Sequence, residues 1–84
     1  MSNIQQQAEA RNNIRFDQAL YKKLTDREIE IARFAKEGMT CKDTGLRMGI
    51  TASTVGTFRS RIMEKTGRKN ITEAVVALIT AGIL

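Results

Sequence analysis

Chemistry has few places to reside in this chain. Histidine is absent and cysteine occurs once, at Cys41. Without histidine there is no ordinary base near neutrality. The spacing also assembles no carboxylate pair and no glycine-rich phosphate loop, so an enzyme is not expected. Asp26, Glu28 and Glu30 read instead as charges of a helix's first turn. One cysteine cannot found a disulfide framework, and zinc or iron–sulfur ligation lacks its donors, so no metal, cofactor or small-molecule ligand is expected. What remains is recognition of a polyanion by hydrogen bonds and positive charge. The residues suited to it cluster, with Gly56 among them as a point where backbone could come close: Thr51, Ser53, Thr54, Thr57, Arg59, Ser60, Arg61 and Lys65.

Charge supports that choice of chemistry. Fourteen basic against nine acidic residues give a net charge of +5, which favours a nucleic-acid partner. Between Thr54 and Lys69 stand Arg59, Arg61, Lys65, Arg68 and Lys69 with a single acid, Glu64. A merely solvated helix face is the bland alternative for that cluster.

Those residues need an element to hold them, and residues 40–61, TCKDTGLRMGITASTVGTFRSR, spell a helix-turn-helix. Gly45 lets two backbones approach, Gly49 supplies the positive φ of the bend, and Met48, Ile50, Val55 and Phe58 turn inward. Thr40 caps a helix over Cys41 to Met48, with Asp43 in its first turn, and Thr51 caps the next over residues 52–66, stopped by Gly67. The second helix of such a pair lies in the major groove of DNA. With Val55, Phe58 and Ile62 inward, the outward positions are Ala52, Ser53, Gly56, Thr57, Ser60 and Arg61. Arg61 can donate two bonds to guanine and Thr57 offers a methyl and a hydroxyl to a base edge. Ser53 and Ser60 are short donors to bases or phosphates. Thr51 and Thr54 suit a phosphate at the helix start, and Arg59 and Lys65 read as phosphate contacts. Gly56 allows two readings, close approach of backbone to DNA or a tolerated weak position.

The remaining elements complete an all-α domain. Thr25 and Glu28 form a capping box, with Leu24 and Ile29 as its hydrophobic staple. Ile29, Ala32, Arg33 and Lys36 follow at helical spacing, and Gly38 ends that helix in a left-handed cap. Asn70 and Glu73 open a last helix, AVVALITAGIL, apolar around much of its circumference and so expected to be buried on two sides. One side meets the core. The other, through Ala74, Val75, Leu78 and Ile79, is expected to pair with a second subunit. Residues 24–84 form the domain. Residues 1–23 form an extension, flexible to about Asn13 and then helical with Phe16, Ala19 and Leu20 on one face. That extension either covers the core or reaches a partner or DNA with Arg11, Arg15, Lys22 and Lys23. No apolar run approaches the roughly twenty residues that span a bilayer, and the polar start is no secretory signal; a cytoplasmic protein is expected.

From Leu24 to Leu84 the sequence resembles the DNA-binding domain of LuxR-type (GerE-type) bacterial transcription regulators. The resemblance runs through LTDREIEIARFAKEGMT, GITASTVGTFRSRIMEKTG and NITEAVVALITAGIL. Arg27, Glu28, Thr54, Val55, Lys65 and Gly67 stand where the family pattern has them, and Phe58-Arg59-Ser60-Arg61 is close to an aromatic-basic variant of it. The resemblance implies a four-helix domain whose third helix reads double-stranded DNA and whose fourth pairs two subunits on an inverted repeat. Carried over by position, Gly56, Thr57 and Ser60 are base-proximal and Thr54 and Lys65 touch the backbone. Departures stand at Gly56 (often lysine or serine), Thr44-Gly45 (an apolar residue and alanine), Thr66 (leucine) and Ile71 (arginine). The residues before Leu24 are too few for the phosphoacceptor or ligand-binding domain that family members carry. The expected function is a stand-alone, homodimeric transcription regulator. The alternative is a protein that pairs with a full-length LuxR-type regulator and antagonises it. A sigma-factor promoter-reading domain shares the opening pattern but needs a polymerase-binding region.

Overall fold

The computed structural model describes residues 16–84, which fold as five helices with no strand among them: α1 (Gln18–Lys23), α2 (Asp26–Lys36), α3 (Cys41–Met48), α4 (Ala52–Thr66) and α5 (Ile71–Thr80). The expected arm residues Arg11 and Arg15, and the first part of the extension, lie outside the described residues. None of the described helices is long and apolar enough to cross a membrane.

Each helix begins where a side chain can accept a backbone N–H that the first turn leaves without a partner. Thr25 accepts from Glu28 while the Glu28 carboxylate accepts from the Thr25 N–H, at 3.1 and 2.9 Å. Thr40, Thr51 and Asn70 cap α3, α4 and α5 in the same way. A lost cap of this kind typically costs about 1 kcal/mol. The breaks are glycines in the left-handed region: Gly49 (φ +72°) between α3 and α4, and Gly67 (φ +68°) after α4.

Leu24, Ile29, Ile31, Ala32, Val55, Ile62, Ala74, Leu78 and Ile83 make one core. Each large member contributes roughly 1.5–3 kcal/mol relative to exposure. Helix α4 runs through its centre, against α2, α3 and α5. The buried face of α2 is Glu28, Ile29, Ile31 and Ala32, whereas Arg33 and Lys36, expected beside Ile29 and Ala32, are exposed. Ile31 is the core residue that the expected face omits.

Two expectations about packing are corrected. Helix α1 starts only at Gln18, capped by Asp17. Of Phe16, Ala19 and Leu20, only Leu20 packs on the core. Phe16 is exposed and lies against Tyr21 instead, ring centroids 5.3 Å apart. The Asp17 N–H donates to the Ala81 carbonyl at 2.7 Å and ties α1 to the end of α5. On α5, Ala74, Val75 and Leu78 are buried in the protomer's own core. Positions 74, 75 and 78 share one helix face, and α5 packs on both α2 and α4, so that face meets the protomer itself. Of the four residues expected at that contact, Ile79 alone stays partly open. It lies on the outer stripe with Thr72, Val76 and Thr80, spaced four, three and one apart.

Candidate nucleic-acid interface

The junction of α3 and α4 fixes everything the site presents. The Ile50 N–H donates to the Gly45 carbonyl at 2.9 Å, closing the turn over α3. A Cβ built on Gly45 would stand 2.5 Å from the Ile50 carbonyl oxygen and 3.2 Å from Thr51. The helices therefore meet backbone to backbone, where the resembled family usually has alanine. Beside it Thr44 is wholly buried, and its Oγ1 has no hydrogen-bond partner among the described residues.

From that junction α4 projects. Its start is open: Thr51, Ser53, Thr54, Thr57, Ser60 and Arg61 are all exposed. The Thr51 hydroxyl accepts from the Thr54 N–H at 3.1 Å and lies 2.9 Å from the Thr54 hydroxyl. These two oxygens are partly engaged in the cap and offer their remaining capacity outward. Thr57 donates its hydroxyl to the Ser53 carbonyl at 3.2 Å, so its oxygen lone pairs and its methyl are what it presents. Gly56 is half-buried, and a Cβ there would meet nothing within 4 Å. No packing need within the described residues accounts for that glycine. The Arg61 guanidinium carbon lies 5.6 Å from the centre of the Phe58 ring, a cation–π contact that holds the charge beside the helix.

Two cations of the expected interface serve the protein instead. The Lys65 ammonium donates to both oxygens of Glu28, at 2.7 and 3.0 Å, with its side chain 30% exposed and that of Glu28 only 2%. Burial alone would raise the Glu28 carboxyl. The bond from Lys65, the bond from the Thr25 N–H and the Lys65 charge outweigh it and hold the carboxyl below its ordinary value. Arg59 turns inward as well: its Nη2 donates to the Met39 carbonyl at 2.6 Å, and its Nε is buried. Both residues expected at a phosphate thus have partners within the protein. Helical spacing carried the signal: Arg59 follows Val55 by four residues and precedes Ile62 by three, and Lys65 follows Ile62 by three.

A capped bihelical turn with an open polar helix face is the geometry of a helix-turn-helix. The chain matches the GerE family of bacterial regulatory proteins, the luxR family, over residues 22–78. It belongs to that family. The transcriptional activator proteins AhyR of Aeromonas hydrophila and AsaR of Aeromonas salmonicida are each 38% identical to it over 61 residues. The matched stretch is 73% of this chain but 24% of either relative. No solved structure matches it significantly.

In this luxR-family domain the outward stripe of α4 is thus Ser53, Thr57, Ser60 and, two turns from Thr57, Glu64, all exposed. Arg61 flanks it, and the exposed Arg68 and Lys69 follow the helix. In the sequence Glu64 stands out only as the single acid of the basic stretch, although its spacing of four from Ser60 and seven from Thr57 puts it on this face. Among the described residues no group of three or more potential metal ligands comes together.

Proposed function

We propose that this domain is a sequence-specific, double-stranded-DNA-binding transcription regulator, acting in the cytoplasm with α4 in the major groove. The observation that carries the reading is the exposed run of short polar side chains on α4, Ser53, Thr57 and Ser60, flanked by Arg61 and preceded by the Thr51–Thr54 cap. Hydroxyl groups of one or two bonds' reach touch base edges only if the helix sits deep in the groove. The bare Gly56 permits that approach. Arg61 supplies a bidentate donor for guanine, and Arg68 and Lys69 supply phosphate contacts. The names of the two activator relatives agree with a role in transcription.

The domain acts as a homodimer in this reading, with Thr72, Val76, Ile79 and Thr80 of α5 against the same residues of a second copy. Val76 is 56% exposed, the large apolar side chain of that outer stripe that lies open to solvent. An isologous contact of that kind demands a target with two inverted half-sites.

Selection of bound sequences from a random duplex pool tests the proposal. Convergence on an inverted repeat supports it, and enrichment of no sequence overturns it. Arg61→Ala should then lower affinity for the selected duplex by about tenfold, the worth of one good base contact. Val76→Asp should leave each domain folded, as its circular dichroism and unfolding curve would report, yet abolish dimers in sedimentation. A dimeric Val76→Asp protein would refute the assigned α5 face.

A further inference from the structure

Arg59 is the one arginine of α4 whose guanidinium is turned into the protein. Its Nη2 reaches 2.6 Å to the Met39 carbonyl, in the loop that joins α2 to α3. That carbonyl is itself held from both sides. The Met39 N–H donates back to the Phe34 carbonyl at 3.1 Å, closing the end of α2, and the next residue, Thr40, caps α3. A single side chain thus fastens the third turn of α4 to the end of one helix and the start of another. The end of α2, where carbonyls point outward, also favours a positive charge. The Nε of Arg59 is buried without a partner among the described residues. An unpaired donor opposes folding, so stability alone gives little reason for an arginine here.

The groove-facing residues supply a functional reason. Ser53, Thr57 and Ser60 are short, and a short side chain cannot swing to correct a misplaced helix. Recognition through such residues needs the backbone held to within about half an ångström of its working position. Arg59 lies between Thr57 and Ser60 in sequence and is the polar link between this stretch and the α2–α3 loop.

We propose that Arg59 is a positioning residue for base recognition: by fastening α4 to the Met39 carbonyl it sets sequence discrimination, and it makes no phosphate contact. The proposal rests on the reading of α4 as the groove helix.

The test compares the full chain with Arg59→Met and Arg59→Lys. The DNA probes are a duplex enriched by the unmodified protein from a random pool and a scrambled duplex of equal length, each titrated over a range of salt. Arg59→Met should lower the affinity ratio between the two duplexes by about tenfold, a base contact's worth. Affinity for the scrambled duplex, and its salt dependence, should stay unchanged. Arg59→Lys keeps a donor and the charge and should restore part of the ratio. Loss on both duplexes alike, with the salt slope reduced by about 1, would mean a phosphate contact and overturn the proposal. So would an Arg59→Met protein that unfolds at lower temperature but discriminates fully in the cold. If the unmodified protein enriches no duplex, the groove reading itself falls. If it enriches one and Arg59→Met discriminates equally, only the role of Arg59 falls. Amide exchange separates the two without DNA: Met39, whose N–H donates to Phe34, and Asp43, whose N–H donates to the Thr40 cap, should exchange faster in Arg59→Met, and unchanged rates would deny the fastening.

Discussion

The two faces of α4 invert the usual expectation for a basic helix. Toward solvent it presents Ser53, Thr57, Ser60 and Glu64, which together carry no positive charge. Toward the protein it turns Arg59, bonded to Met39, and Lys65, bonded to Glu28. Charge counted along a sequence is therefore not charge available to a ligand. Of the cations expected between Thr54 and Lys69, those left open are Arg61 at the flank and Arg68 and Lys69 beyond the helix, so the proposed contact of α4 depends on close fit more than on attraction at a distance.

The inner face offers the largest effect. Lys65→Met leaves the Glu28 carboxylate buried without its counter-charge and should destabilise the domain by about 3 kcal/mol, read from urea unfolding. An unchanged midpoint would mean that Lys65 is available to a ligand after all, and the contrast between faces would collapse. The pH dependence gives the same information without mutation. The folded Glu28 carboxyl titrates below its ordinary value of 4.5, so the unfolded chain takes up the proton first. The stability contributed by this pair is complete above that value and is lost as pH falls through and below it. Unfolding midpoints followed from about pH 7 to about pH 3 should decline for the unmodified protein and decline less for Glu28→Gln.

Two helical glycines sharpen the comparison next, because Gly45 of α3 is packed against the start of α4 while Gly56 of α4 has open space beside it. At Gly45 a Cβ would strike the Ile50 carbonyl, and Gly45→Val should cost about 2 kcal/mol by overpacking. At Gly56 a Cβ meets nothing, and Gly56→Ala should stabilise the free domain by about 1 kcal/mol, the helix-propensity difference. If α4 enters the groove, that same Gly56→Ala should weaken binding to a selected duplex while raising the melting temperature. Stability and affinity rising together would place Gly56 away from the DNA.

The same two faces explain what the sequence disclosed. Caps are local, so Thr25, Thr40, Thr51 and Asn70 mark four helix starts, and α3 and α4 run over the residues expected. The sequence also named Gly45 as the close approach, since only a missing side chain lets two helices touch there. What it hid were partners far apart in the chain. Glu28 and Lys65 each looked complete as a capping-box residue and an exposed cation, and only the packing of α4 on α2 brings them together. Arg59 sat on the inward stripe by spacing, but its charge argued for solvent until a backbone carbonyl proved to be within reach. On α5, a surface apolar around much of its circumference gave little means to tell the core face from the open one. Packing against α2 and α4 decides that Ala74, Val75 and Leu78 are inside.

The smallest expected effect lies at Glu64, and it tests the depth to which α4 enters the groove. Glu64 shares the outward stripe with Thr57 and Ser60 but stands near the helix end, two turns from the first base-proximal position. A helix that docks by its first half keeps this carboxylate at the groove's edge, close enough to repel phosphates weakly and too far to touch a base. Glu64→Gln should then raise affinity for selected and scrambled duplexes alike, by no more than about fivefold, the range of an exposed charge interaction of about 1 kcal/mol. A change confined to the selected duplex would instead mean that Glu64 reads a base, a cytosine amino group being the fitting donor. The contact would then extend along the whole of α4, and the rear of the outward face would be part of the recognition surface and not its boundary.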